Sequence, residues 1–294
     1  MRFSANISWL FPEVPDFPGR IKAASQSGFR AVEVAWPYAT DRTLFKAALN
    51  THRMSLVLLN TPPGNIEAGE LGLAAVPGRQ DEFRTGLNEA VSWASDLGCD
   101  RIHIMAGRVP LGLEHQFIEK EMEETFIENL QYAADILGQA GMVGLLEPIN
   151  SLITEPRYFL NTPQHAASIL QKVKRPNLKL QMDLYHWQIM GGNLTQNIKT
   201  YFPLIGHVQI AQIPHRNEPD SPGELNFMYL FDLLQDLGYQ GYVGCEYKPQ
   251  GKYNLTPNRT GKVYCTYECM HNYVAFLSHL SMPVTTYYYK CIIC

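Results

Sequence analysis

The feature that most constrains the fold of this chain is a regular alternation of short apolar runs with longer amphipathic stretches. The runs are rich in β-branched residues, as strands are, and the stretches between them have the spacing of apolar residues that amphipathic helices show. Eight strands alternating with helices predict a parallel sheet that closes into a (β/α)8 TIM barrel. The eight runs are FSANIS, FRAVEVAW, MSLVLLN, RIHIMAG, MVGLLEP, NLKLQMD, LIGHVQI and YQGYVGCEY.

Helix signals lie between the runs. Asp41 is placed to cap a helix, and Thr162 followed by Pro163 is a typical helix start. An open doubly wound sheet is the alternative fold, but no G-x-G-x-x-G motif follows the first run. The predicted helices cover residues 15–27, 41–51, 79–97, 115–139, a segment from 162, 193–201 and 223–237.

Size and charge narrow the class of protein. The chain has 294 residues, and a single α/β barrel needs about 250. The net charge of -4 and the absence of a basic stripe argue against a nucleic-acid partner. No apolar run reaches about 18 residues, so no membrane partner is expected. The N-terminal residues lack the pattern of a signal peptide, and a cytoplasmic location is therefore expected.

The last part of the chain differs in character from the rest. We predict a barrel domain over residues 1–250 and an atypical tail over 251–294, either poorly ordered or weakly helical near residues 267–280. The tail occupies the place in the sequence where the last barrel helix is expected. We hypothesise that it is encoded by a retained intron or an alternative last exon. Its spacing of cysteines and histidines matches no zinc-finger pattern closely. These are Cys265, Cys269, His271, His279, Cys291 and Cys294.

Four oxygen-bearing side chains stand at the ends of the last four runs: Glu147, Asp183, Gln209 and Glu246. In a parallel barrel these positions share one rim, where active sites lie. Three carboxylates and one amide oxygen suit a hard divalent cation such as Mg²⁺ or Mn²⁺, whereas zinc would favour His or Cys. The alternative is that each is an ordinary polar group at a strand end.

Two of these residues, Glu147 and Glu246, are also candidates for proton transfer. An α-hydroxy carbonyl compound held by a cation becomes acidic at carbon, because the charge of the enediolate falls on the metal. One glutamate can then remove a proton and the other can return one to the neighbouring carbon. This chemistry predicts an isomerase of the aldose–ketose type.

Three further residues are candidates for substrate binding. His186 follows the Asp183 ligand and is placed to bond a substrate oxygen, unless it is a packed loop histidine. His103 points into the barrel if its neighbours face the helices, and a buried structural role is equally open. Arg216 suits a substrate carboxylate, with a solvated loop arginine as the alternative. Glu33 also faces inward by alternation, without a predicted role.

Several segments together resemble the hydroxypyruvate isomerase family, within the xylose-isomerase-like TIM barrels. The resemblance covers residues 2–251. It implies reversible conversion of hydroxypyruvate into 2-hydroxy-3-oxopropanoate (tartronate semialdehyde), a divalent metal at the four strand-end residues, and the two glutamates as acid and base. The segments include FSANISWLFPEVP, GFRAVEVAWPY, LLEPIN, QMDLYHWQ, HVQIAQIPHRNEPDSPGELN and GYVGCEYKPQG.

The chain departs from the family pattern at two places, and other functions stay open. His215 stands where the family usually has glycine, which puts a bulky side chain near the expected substrate, and the tail replaces the usual last helix. An isomerase of 2-oxo-tetronate, an epimerase of a related sugar and a non-catalytic splice product are alternatives. A metal-dependent nuclease would need more histidine ligands. The sequence leaves the oligomeric state open, a homo-oligomer included.

Overall fold

The structure, a computed structural model, describes residues 1–250 as a closed barrel of eight parallel strands. Neighbours in the chain are neighbours in the sheet, and the first strand pairs with the last between Arg2 and Tyr242 and onward to Ala5 and Cys245. The predicted TIM-barrel fold is therefore confirmed. The strands are β1 Arg2–Asn6, β2 Ala31–Val34, β3 Ser55–Asn60, β4 Arg101–His103, β5 Val143–Leu146, β6 Leu178–Asp183, β7 Ile205–Ile210 and β8 Tyr242–Cys245.

The helices occupy the intervals that the sequence predicts, with one addition. The helix from His115 has the predicted bounds, while the last described helix begins at Phe227, four residues later than predicted. The helices are α1 Phe17–Gln26, α2 Arg42–His52, α3 Gln80–Leu97, α4 His115–Gln139, α5 Pro163–Val173, α6 Leu184–Met190, α7 Leu194–Tyr201 and α8 Phe227–Asp236, with a 3₁₀ turn at Phe202–Leu204.

The additional helix, α6, follows β6 without a connecting loop. The side chain of Asp183 accepts a hydrogen bond from the backbone N–H of Tyr185 and so caps the first turn. A capping aspartate satisfies an N–H group that has no partner within the helix. His186 consequently lies on a helix at the rim of the barrel, and its interpretation as a loop residue is wrong.

Alternation along the strands separates an apolar layer from a polar interior. On β6, Leu180 and Met182 belong to the apolar core, whereas Gln181 bonds to Gln209 of β7 and Asp183 contacts Arg216 in the loop after β7. Barrel interiors are normally filled by branched apolar side chains. The fully buried polar side chains here are therefore a sign of function. They include Ser4, Glu33, His103, Gln181, His207 and Gln209.

The predicted tail, with its weak helix and its cysteine and histidine spacing, lies outside the described residues. The division of the chain at residue 250 and the cytoplasmic location stay predictions. Among the helices of residues 1–250, none combines the length and the apolar character that crossing a bilayer requires.

Candidate active site

The four strand-end residues lie at one end of the barrel, where Glu147 and Glu246 line a cavity of about 380 Å³. Glu147 and Glu246 come directly after β5 and β8, and Asp183 and Gln209 are register partners on β6 and β7. The strands of the barrel thus set the positions of all four. Residues that line the cavity include Trp9, Trp36, His103, Glu147, Gln181, His186, Arg216 and Glu246.

Hydrogen bonds link three of the four candidate ligands, one pair directly and the other through Gln181. The amide nitrogen of Gln181 donates to Oε2 of Glu147 at 3.0 Å and to Oε1 of Gln209 at 2.6 Å. Nε2 of Gln209 donates in turn to Oε2 of Glu246 at 2.6 Å. Gln181 precedes Asp183 by two residues on β6, so that both side chains face the same side of the strand.

Arg216 is buried in the site rather than solvated. Its Nη2 lies 2.7 Å from Oε1 of Glu246 and 3.5 Å from Oδ2 of Asp183. The guanidinium carbon lies 4.3 Å from the ring centre of Trp9 and 4.9 Å from that of Tyr185. Stacking on aromatic rings is a preferred environment for a desolvated guanidinium. The side chain is thus held beside two candidate metal ligands.

His186 presents a hydrogen-bond donor to the site. Its Nδ1 accepts from the backbone N–H of Asn150 at 3.2 Å and lies 2.7 Å from Nδ2 of the same residue. The carbonyl oxygen of the Asn150 side chain accepts hydrogen bonds from two backbone N–H groups of the following turn. The Nδ2 group of Asn150 is therefore the donor to His186. A neutral His186 then carries its proton on Nε2.

That tautomer decides between two roles for His186. Its Nε2 lies 3.7 Å from Oε1 of Glu147 and 3.6 Å from Oδ2 of Asp183, and single atoms of the three residues lie within 4.8 Å of one another. Such spacing is typical of metal ligands. However, a nitrogen that carries a proton has no lone pair for a metal, so we interpret His186 as a donor to oxygen.

His103 faces the same cavity as a neutral ring. Burial lowers the pKa of this residue to about 3. Its Nδ1 lies 3.3 Å from Oε2 of Glu147, in poor alignment for a hydrogen bond, and neither ring nitrogen has a hydrogen-bond partner among the described residues. Buried polar atoms of this kind are uncommon, and a bound substrate or water is a usual explanation at a functional site.

The carboxyl groups of the site repel one another. Burial raises the pKa of Glu147 well above its usual value, and the charges of Glu246 and Asp183 raise it further. Burial also raises the pKa of Asp183, and that of Glu246 to about 8, although Arg216 opposes both shifts. Three buried carboxyl groups thus share one guanidinium. The set of hard oxygen donors and the excess negative charge fit a divalent cation such as Mg²⁺ or Mn²⁺.

Glu33 is a site residue for which sequence reasoning assigned no role. Its carboxylate lies inside the barrel, fully buried, and accepts from Oγ of Ser4 at 2.6 Å and from Nε2 of Gln209 at 2.9 Å. Nε2 of His207 lies 2.7 Å from it. Gln181 and His207 each precede a candidate ligand by two residues, and this alternation was the available signal for both.

The expectation for His215 is wrong. His215 is exposed and does not line the cavity, whereas the neighbouring Arg216 is buried and does. Arg216 adopts a positive φ of 59° at this point. The bulk of His215 therefore has no contact with the cavity in which a substrate would lie.

Comparisons with known proteins agree with this fold. The family described as "Xylose isomerase-like TIM barrel" matches residues 21–261. A protein named "Putative hydroxypyruvate isomerase" from Xenopus laevis is 99% identical over 251 residues, which are 85% of this chain and 91% of that protein. A "2-oxo-tetronate isomerase" from Cupriavidus necator is 42% identical over 249 residues, 85% of this chain and 93% of that protein.

A solved structure is also similar. The crystal structure of an "AP endonuclease, family 2" from Brucella melitensis has 45% sequence identity and a TM-score of 0.80. The similarity covers 85% of this chain and 94% of that one. The barrel described here is thus shared over nearly the whole length of that protein.

Proposed function

This chain belongs to the hydroxypyruvate isomerase family of xylose isomerase-like TIM barrels and is an isomerase, and on that premise we propose that it interconverts hydroxypyruvate and 2-hydroxy-3-oxopropanoate. The observation that carries the proposal is the pair Glu147 and Glu246. Both are largely buried at one cavity, and both have a raised carboxyl pKa. A carboxyl group whose pKa is raised can hold and release a proton at physiological pH, as proton transfer requires.

The proposed cation ligands are Glu147, Asp183, Gln209 and Glu246, with Mg²⁺ or Mn²⁺ as the metal. When bound, such a cation supplies electrostatic stabilisation of the negative charge that develops on the substrate oxygens. The ligands come from four successive strands, so the rigid barrel rather than mobile loops sets their positions. Gln181 supports two of them by donating to Glu147 and Gln209.

Three side chains of the cavity are proposed to bind the small substrate. Arg216 offers a guanidinium to the substrate carboxylate, and such a pair is a charge-assisted hydrogen bond. His186 donates its Nε2 proton to a substrate oxygen, as its bonds with Asn150 require. His103, neutral and without a hydrogen-bond partner in the described part of the chain, supplies a second ring nitrogen for the same purpose.

The proposed reaction moves two protons. One glutamate removes a proton from C3 of hydroxypyruvate, and the electron pair forms the C2–C3 double bond of an enediolate. The other glutamate, protonated at the start, then delivers a proton to C2, and a proton passes from the hydroxyl on O3 to the oxygen on C2. Exchange of protons with solvent returns the two glutamates to their starting states. The products have the same atoms as the substrate, with the aldehyde at C3. We assign neither Glu147 nor Glu246 as the residue that removes the C3 proton, because in a reversible reaction the base of one direction is the acid of the other.

A four-carbon substrate is the second candidate. The volume of the cavity, about 380 Å³, is within the range of ordinary ligand pockets and is larger than a three-carbon acid requires. A relative named 2-oxo-tetronate isomerase has 42% identity. Thr154 and Glu155 also line the cavity and are placed to meet an additional hydroxyl group. Sugar epimerisation is a less supported alternative.

A coupled isomerase assay on the purified protein tests the proposal. Activity with hydroxypyruvate should vanish in EDTA and return on addition of Mg²⁺ or Mn²⁺. A panel of three- and four-carbon 2-oxo acids, followed by NMR, then ranks the substrates by kcat/KM. Activity that persists after complete removal of metal would contradict the metal-assisted reaction, and turnover of none of these acids would contradict the proposed substrate class.

A further inference from the structure

We propose that Glu33 is a positioning residue that determines which end of the Gln209 amide faces the cation. The inference rests on the proposed metal site and deepens it. A glutamine ligates a hard cation only through its oxygen, because the amide nitrogen has no available lone pair. The Gln209 amide has two orientations of nearly the same shape, in which the oxygen and the NH₂ group exchange places. Contacts with other protein groups must favour the orientation in which the oxygen faces the cation.

The hydrogen bonds of Gln209 make that selection. Its Nε2 donates to two carboxylates, at 2.9 Å to Oε2 of Glu33 and at 2.6 Å to Oε2 of Glu246. A carboxylate accepts and does not donate, so the NH₂ end of the amide must face Glu33. The oxygen consequently faces the opposite side, where it accepts from Gln181. Gln181 also donates to Glu147, which places the Gln209 oxygen on the side of another candidate ligand.

Glu33, on β2, is itself held by residues of three other strands. Its other oxygen, Oε1, accepts from Oγ of Ser4 at 2.6 Å and lies 2.7 Å from Nε2 of His207. On β8, a Cβ atom at Gly244 would lie 2.3 Å from Oε1, so only glycine leaves room for the carboxylate. One oxygen of Glu33 is thus occupied by the scaffold, and the other is left for Gln209.

Replacing Glu33 with glutamine would remove one of the two carboxylates that accept from the NH₂ end of Gln209, while the size and shape of the side chain at position 33 stay almost the same. An amide at position 33 can either donate or accept, so it tolerates both orientations of Gln209. Loss of a residue that orients a metal ligand typically weakens metal binding about 10–100-fold. We expect E33Q to weaken Mn²⁺ binding by a factor in that range.

Loss of the Glu33 charge would also weaken cation binding, and a double-mutant cycle separates this effect from orientation. The four proteins are the wild type, E33Q, Q209E and E33Q/Q209E, with Mn²⁺ affinity measured by calorimetry. A carboxylate at position 209 offers an oxygen in either orientation, and the amide of E33Q can donate to it. We therefore expect E33Q to weaken Mn²⁺ binding when position 209 is the native glutamine. In the Q209E background, E33Q should leave Mn²⁺ affinity unchanged or improve it.

Ser4→Ala provides the structural control, since it removes a bond to Glu33 without touching the bond to Gln209. It should leave Mn²⁺ affinity within about twofold of the wild type, below the 10–100-fold effect of an orienting partner. If E33Q alone does not fold, the comparison of Q209E with E33Q/Q209E carries the test. The same cycle predicts that E33Q does not reduce Mn²⁺ affinity in the Q209E background.

Two results overturn the inference alone: E33Q that binds Mn²⁺ as the wild type does, or E33Q that weakens binding by the same factor in both backgrounds. Either result leaves the proposed function standing, because wild-type Mn²⁺ binding is then intact. A wild-type protein that binds no Mn²⁺ overturns both the proposed metal site and this inference. The two failures are therefore distinguishable within one set of measurements.

Discussion

The guanidinium of Arg216 lies 2.7 Å from the carboxylate of Glu246, inside the ring of candidate metal ligands. The same nitrogen lies 3.5 Å from Asp183. Arg216 thus neutralises part of the negative charge of the Asp183 and Glu246 carboxylates, to which a divalent cation would also bind. This arrangement gives Arg216 opposite effects on the two species that the site is proposed to hold, because it repels a cation and attracts a substrate carboxylate.

Replacing Arg216 with glutamine should therefore move two affinities in opposite directions. We expect Mn²⁺ affinity to rise by about tenfold as a repulsive charge disappears. We expect KM for hydroxypyruvate to rise by about 10–100-fold as a charge-assisted hydrogen bond is lost. Calorimetry and steady-state kinetics measure the two quantities. Arg175→Gln, at a surface pair with Asp135, is the matched control and should change neither.

Glu147→Gln and Glu246→Gln should each reduce kcat by about 10²–10⁴-fold, because each removes a group that accepts or donates a proton at carbon. The amides keep the size of the side chain, so the barrel should remain folded. Glu124→Gln, at an exposed position on α4, should retain full activity. Coupled assays at saturating Mg²⁺ separate lost chemistry from weakened metal binding. Activity near that of the wild type in either active-site variant would argue against the proposed pair.

The stability of the metal-free protein should fall as pH rises. The pKa of Glu246 is raised from 4.5 to about 8, and that of Glu147 is raised as well. Between these values the folded protein holds more protons than the unfolded chain, so the free energy of unfolding decreases with pH. Thermal melting in EDTA should show a Tm that declines from about pH 5 to about pH 8.

Mn²⁺ should restore more of that stability at the alkaline end of the range, since the cation binds ionised carboxylates and competes with protons. The variant E246Q should flatten the decline in EDTA, because it removes one of the titrating groups. A Tm in EDTA that rises over this interval, or a slope that E246Q leaves unchanged, would show that these carboxyl groups do not have raised pKa values.

Gly244→Ala tests the crowding around Glu33 by its effect on folding. The new Cβ would lie 2.3 Å from the Glu33 carboxylate, and such overpacking costs about 1–3 kcal/mol. Gly138→Ala is the control, because Gly138 is exposed on α4 and the atom nearest to its new Cβ, Nδ2 of Asn177, lies 3.6 Å away. In a helix that substitution should stabilise by about 0.5–1 kcal/mol. Urea unfolding of both variants gives the comparison, and equal stabilities would refute the crowding.

The barrel and its four strand-end residues were predictable because both depend on local patterns. Each strand is a short apolar run, and each candidate ligand is a polar residue at or near its end. Their meeting follows from closure of a parallel sheet, in which Asp183 and Gln209 are register partners. The general rule that the carboxyl ends of barrel strands share a rim was sufficient for this part.

Contacts across the barrel were not predictable in the same way. Glu33 bonds to Gln209, a residue 176 positions later, and only the closed barrel brings the two together. The role of Asn150 depends on the orientation of its amide relative to His186, which no spacing in the sequence specifies. Helix α6 was missed because its cap, Asp183, is also the last residue of a strand, so no break separates the two elements.

The fate of the hydrogen on C3 tests the central claim most directly. Hydroxypyruvate carrying deuterium at C3 would be converted in ordinary water with Mg²⁺ present, and the product would be examined by NMR at C2. For a substrate with two deuterium atoms on C3, transfer between two glutamates predicts that C2 carries hydrogen from solvent. The deuterium removed from C3 is then lost to solvent, while the second deuterium stays on the aldehyde carbon. Deuterium retained fully at C2 would mean direct migration between the carbons and would contradict the roles proposed for Glu147 and Glu246.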